Sequence, residues 1–261
     1  MIDALYTSLS GLQSSQLRLD TISNNVANVN TTAFKKSRVL FSDLLYRSVG
    51  ASPGDFAQPD EIPTSYVGLG VGVVRSEALF LQGDLKQTDQ PLDLALQGKG
   101  FFEVTTNAGE LQYLRAGSFS VNELGEITTA NGERLNPLIQ VPPDATRIFV
   151  TDDGQVLVEV PNETDPVLLG QIEISLFRNE TGLKPLSGGL FAATIDSGDP
   201  VYAIPGQESA GSLRQGFLET SNVDFSEELV DLMLAQRTYQ LNARLLQASD
   251  EVLSEINSMR R

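Results

Sequence analysis

Residues 2–28, IDALYTSLSGLQSSQLRLDTISNNVAN, decide how this chain is built. Their apolar side chains stand at Ile2, Leu5, Leu9, Leu12, Leu19, Ile22 and Val26. Steps of three and four residues put them on one stripe of an amphipathic α-helix. Gln16 stands where the stripe asks for an apolar residue, Gly11 is the one glycine, and proline is absent. The run ends in Asn28-Val29-Asn30-Thr31-Thr32, whose short polar side chains compete for backbone groups and favour a turn.

A second stripe lies at the other end. Leu229, Leu232, Met233, Tyr239, Ala243, Leu246, Leu253 and Ile256 keep the helical period across residues 225–257, and Gln236 interrupts them much as Gln16 interrupts the first stripe. Asp224, followed three residues later by Glu227, reads as a capping pair. At about 1.5 Å per residue this helix would be roughly 50 Å long. Neither helix has a sequence neighbour to bury its stripe, so the ends are expected to pack on each other, on other subunits, or both.

Between them the period changes from helical to alternating. Phe101–Val104, Ile148–Val150, Gln155–Val160 and Gln171–Leu176 read as strands. Asn107-Ala108-Gly109, Asn122–Gly125, Asn131-Gly132 and Asp152-Asp153-Gly154 read as hairpin turns. Residues 50–65 are rich in Pro, Gly and Asp and read as an extended excursion, and residues 47–67 are expected to touch neighbouring subunits and stiffen their assembly. The chain is therefore α+β. It divides into a helix over 1–30, a linker and hairpin region over 31–84, an all-β domain over 85–205, a return segment over 206–224 and a helix over 225–261.

Composition narrows the chemistry. The 261 residues include no Cys, no His and no Trp. Disulfides and thiol chemistry are excluded, and the commonest general base and metal ligand is missing. The net charge of −16 is uneven: residues 1–50 carry +2, 51–210 carry −15 and 211–261 carry −3. Such a field disfavours nucleic acid and anionic membrane as partners. No apolar run approaches the ~20 residues that span a bilayer. Met1-Ile2-Asp3-Ala4-Leu5 offers neither the basic region nor the unbroken apolar run of a cleaved signal.

Three sites invite a chemical reading and are better explained structurally. Gly68-Leu69-Gly70-Val71-Gly72 lacks the basic anchor and following helix of a phosphate cradle and reads as a β turn or bulge. Asp152-Asp153-Gly154 lacks the spacing of a calcium loop. The many carboxylates offer no pair that stands out for acid–base work. Asn24, Asn25 and Asn28 are different. Three asparagines at a helix end cost propensity, and with Thr32-Ala33-Phe34-Lys35-Lys36 they form a polar and aromatic block suited to specific packing.

The block from Ile22 to Lys35 resembles the N-terminal signature of the flagellar rod and hook family. Gln82–Thr88, Gly98–Phe102 and Arg115–Ser120 are similar to its central blocks, and Gly216–Asp224 and Gln236–Asn242 to its C-terminal motif, all in order. The family usually has glycine where Ala33 stands; if that position needs φ > 0, alanine is strained there. Length, residues 45–70 and Glu219–Val223 resemble the distal-rod branch more than a proximal rod protein or the longer hook protein.

The resemblance implies a structural subunit of the periplasmic rod in the basal body, and no cofactor. It implies a homo-oligomeric helical tube that encloses the export channel and transmits torque to the hook, with the terminal helices pairing as an inner coiled coil. Its implied partners are the proximal rod proteins, the hook protein, the surrounding P- and L-ring proteins and the flagellar export apparatus, with no nucleic acid and no membrane insertion. The expected assembly positions are Leu5, Leu9, Leu12, Asn24, Asn25, Asn28, Phe34, Leu229, Leu232, Gln236, Tyr239, Asn242 and Leu246. The competing class is a secreted β-rich adhesin or enzyme with helical arms.

Overall fold

The computed structural model describes residues 2–48, 66–161, 165–207 and 209–259, so the excursion read over 50–65 lies outside the described residues. The chain forms two compact units. The first holds residues 1–27, 37–78 and 224–261; the second holds 28–36 and 79–223.

The first unit contains α1 (Ile2–Ala27), β1 (Ser37–Asp43), β2 (Tyr46–Ser48), β3 (Tyr66–Gly68), β4 (Val71–Ala78) and α2 (Phe225–Met259). β1 and β4 pair antiparallel from Ser37 opposite Ala78 to Asp43 opposite Val71, with a bulge between Leu40 and Phe41. β2 and β3 also pair antiparallel, from Tyr46 opposite Gly68 to Ser48 opposite Tyr66. The glycine-rich stretch 68–72 lies in this ribbon, where the Gly70 carbonyl accepts the Leu44 N–H at 2.9 Å. α2 begins as its sequence demands: Asp224 Oδ1 accepts the N–H groups of Ser226 at 2.8 Å and Glu227 at 3.2 Å, two donors that a helix start leaves without internal partners.

α1 and α2 run antiparallel. Asn242 bonds Ser15 at 3.4 Å, Arg18 meets Asp231 at 3.4 Å and Asn25 bonds Glu228 at 3.2 Å, so ascending positions on α1 meet descending ones on α2. Ser8, Ser15 and Ile22 are buried along α1, as are Glu228 and Ala235 along α2. Each set recurs every seven residues, the spacing that keeps one face of a helix on a partner.

The second unit carries β5 (Leu85–Gln87), β6 (Leu94–Gln97), β7 (Phe101–Thr105), β8 (Leu111–Leu114), β9 (Phe119–Val121), β10 (Ile127–Thr129) and β11 (Arg134–Asn136). β12 (Arg147–Val150), β13 (Gln155–Glu159), β14 (Val167–Gln171), β15 (Ile174–Leu176), β16 (Lys184–Pro185) and β17 (Leu190–Ala192) follow. β18 (Val201–Ala203), β19 (Ser212–Gln215) and β20 (Phe217–Glu219) complete it. The main sheet runs β16-β17-β8-β7-β11-β10-β9, with β15 joining β7 and β18. β12-β13-β14 form a second sheet, and β19 pairs with β6 and β20 with β5.

The four turns read from sequence connect β7 to β8, β9 to β10, β10 to β11 and β12 to β13. β7 is buried on both faces. Phe102 and Val104 enter the main cluster with Leu94, Leu96, Ile127 and Leu213, while Phe101 joins Tyr113, Phe177 and Phe191 in a second, aromatic cluster. Phe101 and Phe177 meet edge-on at 5.8 Å, the arrangement that ring quadrupoles favour.

One strand differs from expectation. Residues 171–176 do not form a single strand: the chain leaves the β14 pairing after Gln171 and enters the main sheet at Ile174. Ile172 is fully buried at the switch, and its N–H bonds the Gly154 carbonyl of the β12–β13 turn at 2.7 Å. Gly154 has φ +83°, and a Cβ there would lie 2.6 Å from the Ile172 carbonyl oxygen. That tertiary hydrogen bond interrupts a run whose alternation is locally that of one strand.

Candidate assembly site

The asparagine block has a specific use. Asn25 is 1% exposed. Its Oδ1 accepts the Ser37 N–H at 2.9 Å, and its Nδ2 donates to the Ser37 carbonyl at 2.9 Å and to Glu228 Oε2 at 3.2 Å. One amide thus ties the end of α1, the start of β1 and the first turn of α2. Only a side chain with both a donor and an acceptor on a short stem meets that demand, since aspartate has no N–H to give. Asn28 ends the helical run: its carbonyl accepts the Thr31 N–H at 3.1 Å and its Oδ1 the Thr31 hydroxyl at 3.0 Å. Asn24 is exposed.

The predicted leucines lie beside the helix–helix seam more than in it. Leu5 and Leu12 are half-buried and Leu9 is exposed. On α2, Leu232, Asn242 and Leu246 are half-buried, while Leu229, Gln236 and Tyr239 are exposed. The seam itself is made by small and polar residues, Ser8, Ser14, Ser15, Asn25, Glu228 and Ala235, together with Ile22. Among the described residues of this unit, Ile22 and Ala235 are the only apolar side chains fully buried, while Tyr6, Leu45, Val230, Met233, Leu241 and Leu245 are all more than half exposed. A cavity of about 230 Å³ opens among Ser14, Ser15, Phe41, Val71, Ala235 and Thr238. So much apolar surface is unusual on a finished monomer and marks an interaction face.

The second unit holds a feature that sequence reasoning missed. Glu219 is 1% exposed and lies between two cations. Lys35 Nζ donates to its Oε1 at 2.6 Å and Arg115 Nε to its Oε2 at 2.7 Å; Oε1 also accepts the Gly83 N–H at 2.9 Å. Both cations also donate to backbone carbonyls. Lys35 bonds the Leu81 carbonyl at 2.8 Å, and Arg115 bonds the carbonyls of Gly100, Gly98 and Leu96 at 2.5, 2.6 and 3.1 Å. Asn222 adds a neighbouring clasp, accepting the Lys36 N–H at 2.7 Å and donating to the carbonyls of Leu79 and Leu81. Phe34, half-buried, accepts the Asn222 N–H through its carbonyl at 3.3 Å.

Burial alone would raise the Glu219 carboxyl, but the charges of Arg115 and Lys35 outweigh it and hold the group below its ordinary value. Burial pushes the Lys35 ammonium down, and Glu219 only partly offsets this. Buried ions survive when paired and hydrogen-bonded as these are.

The arrangement explains the blocks read from sequence. Lys35 comes from the first, Gly83 from the second, Gly98 and Gly100 from the third, Arg115 from the fourth, and Glu219 and Asn222 from the Gly216–Asp224 block. Gly83 is required by close approach: a Cβ there would lie 2.1 Å from the Thr220 carbonyl oxygen. Ala33, whose N–H bonds the Glu219 carbonyl at 2.8 Å, has φ +53°, so the residue standing at the glycine position is in the left-handed region. The available signal was a charge beside aromatic, small or glycine residues in each of three separate blocks: Lys35 after Phe34, Arg115 before Ala116-Gly117, and Glu219 after Gly216-Phe217-Leu218.

Comparison with known proteins agrees with this organisation. Residues 5–35 match the family described as "Flagella basal body rod protein", residues 95–158 "Flagellar hook protein FlgE/F/G D1 domain", and residues 214–259 "Flagellar basal body rod FlgEFG protein C-terminal". The chain is 38% identical over 260 residues to the flagellar basal-body rod protein FlgG of Buchnera aphidicola, covering 99% of this chain and 100% of the relative. It is 38% identical over 264 residues to FlgG of Borreliella burgdorferi, covering 100% of both. Identity to the flagellar hook-basal body complex protein FlhP of Bacillus subtilis is 30% over 277 residues, again covering 100% of both.

Proposed function

The chain belongs to the flagellar basal-body rod protein family, and from that premise we propose that it polymerises head to tail as the distal-rod subunit, into a helical tube that encloses the export channel and carries torque to the hook. It is a structural protein of the basal-body rod and not an enzyme. Its assembly involves other flagellar components; by our reading these are the proximal rod proteins below, the hook protein above, the P- and L-ring proteins around it and the export apparatus.

The observation that carries the reading is the unfinished helical unit. Heterologous contacts that do not close on themselves build filaments, and among the described residues much of the apolar surface of α1, α2 and the β1–β4 ribbon is left exposed. In this proposal α1 and α2 form a coiled-coil layer whose exposed residues, Leu9, Leu229, Met233 and Tyr239 among them, are buried by neighbouring copies. The Pro- and Gly-rich residues 47–67 add contacts that stiffen the tube.

The test is polymerisation of the purified chain, followed by sedimentation and electron microscopy, with Leu246→Asp beside the parent. A charge on an apolar face that a neighbouring copy buries costs several kcal/mol. The variant is expected to remain monomeric, with the β unit melting as before and cells non-motile. Normal tubes and normal motility with Leu246→Asp would overturn the packing.

A further inference from the structure

The buried ions of the second unit come from far apart in the chain. Glu219 lies 184 residues from Lys35 and 104 from Arg115. All three side chains are almost fully buried. There are two cations to one anion, and the next carboxylate near Lys35, Glu180, forms no ion pair with it and acts only as the weakest of its charge contacts. Until Glu219 arrives, closing this unit would bury Lys35 and Arg115 against backbone carbonyls alone.

The strands follow the same order. β19 pairs with β6 from Ser212 opposite Gln97 to Gln215 opposite Leu94, and β20 pairs with β5. Leu213 is fully buried in the main cluster beside Leu94 and Leu96. The earliest strands of the unit are thus completed by its last ones.

We infer that Glu219 is the closing counter-ion of the β unit, so that residues 28–36 and 79–211 of that unit remain open until the segment 212–222 has joined them. Docking of this segment belongs to the rate-limiting step of folding and does not follow it. A chain that emerges N-terminus first therefore holds no closed β unit over its first two hundred or so residues. An open chain is the form that can pass along a narrow channel, a consequence that rests on the tube reading, although the folding order itself does not.

The test is refolding of the full chain from urea, followed by tyrosine fluorescence and by pulsed hydrogen exchange. Glu219→Gln keeps the shape and removes the charge. It should slow refolding about 100- to 1,000-fold, nearly as much as it lowers the folding equilibrium constant. Adding Lys35→Met, which removes one surplus cation, should recover at least about tenfold of that rate. The amides of Phe102 and Val104 should gain protection in the same phase as Leu213. If Glu219→Gln does not fold, Glu219→Asp, with the charge kept and the reach shortened, should refold about tenfold slower. Unchanged refolding with faster unfolding, protection of Phe102 before Leu213, or no recovery with Lys35→Met would each overturn the inference.

Discussion

The two units treat their apolar residues in opposite ways. In the β unit, Leu94, Leu96, Phe102, Val104, Ile127 and Leu213 are sealed from water and the one dense cluster of charge is internally paired. In the helical unit the seam is built from serines, an alanine and an amide, and the large side chains flank it in the open. A stable domain cannot leave its main hydrophobic gain unrealised, because burial is what offsets the entropy of ordering the chain. The β unit has realised it. The helical unit has formed its secondary structure and, among the described residues, leaves much of its hydrophobic surface exposed.

The sharpest way to break this contrast is to remove matched bulk from each unit. Phe102→Ala should destabilise the β unit by about 3–5 kcal/mol, read from urea unfolding. Leu9→Ala should change monomer stability by less than about 0.5 kcal/mol, since the side chain is already in solvent, yet raise the concentration needed for polymerisation. Equal losses from the two substitutions would mean that the helical unit is as complete as the β unit.

Asn25→Ala probes the buried amide that joins α1, β1 and α2 in the helical unit. It leaves the N–H and carbonyl of Ser37 and one oxygen of Glu228 without their amide partner, at a cost of about 1–3 kcal/mol. Hydrogen exchange at the Ser37 amide should speed up by at least tenfold while Leu213 is unaffected. Matching changes at both amides would show that the two units melt as one.

Acid probes the buried charge cluster of the β unit. The folded-state value of Glu219 is below that of the unfolded chain, so its contribution is fully present above the ordinary carboxylate value of 4.5 and is lost as pH falls through the depressed value. The β unit of the parent should lose stability in that acid window. Glu219→Gln should start less stable and show a flatter dependence there, and an equally steep one would assign the acid sensitivity to other carboxylates.

The smallest effect is at Ala33. A left-handed alanine costs about 1–2 kcal/mol, and glycine returns part of that gain through its freer unfolded chain. Ala33→Gly should therefore stabilise the β unit by about 0.5–1 kcal/mol, seen as a higher urea midpoint at unchanged slope. A loss of stability would mean that the alanine methyl packs well enough to outweigh its strained backbone.

The sequence by itself determined the helices, the turns and the order of the family blocks. Each is a local property: a 3.6-residue period, an Asp-Gly or Asn-Gly pair, a cap such as Asp224. It also marked Asn24, Asn25 and Asn28 together as costly at a helix end, and the structure buries Asn25 among them and leaves Asn24 exposed. It did not reveal that residues 171–176 divide between two sheets, because the bond from Ile172 to Gly154 that divides them depends on the fold around it. Nor did it reveal why the separate blocks contain Lys35, Arg115 and Glu219, or that the leucine stripes flank the seam of small residues. Those facts depend on which side chains meet across many tens of residues, and strand register and helix rotation are set by packing that no local period encodes. The tertiary structure alone decided which charges are paired inside this chain and which apolar side chains are left exposed.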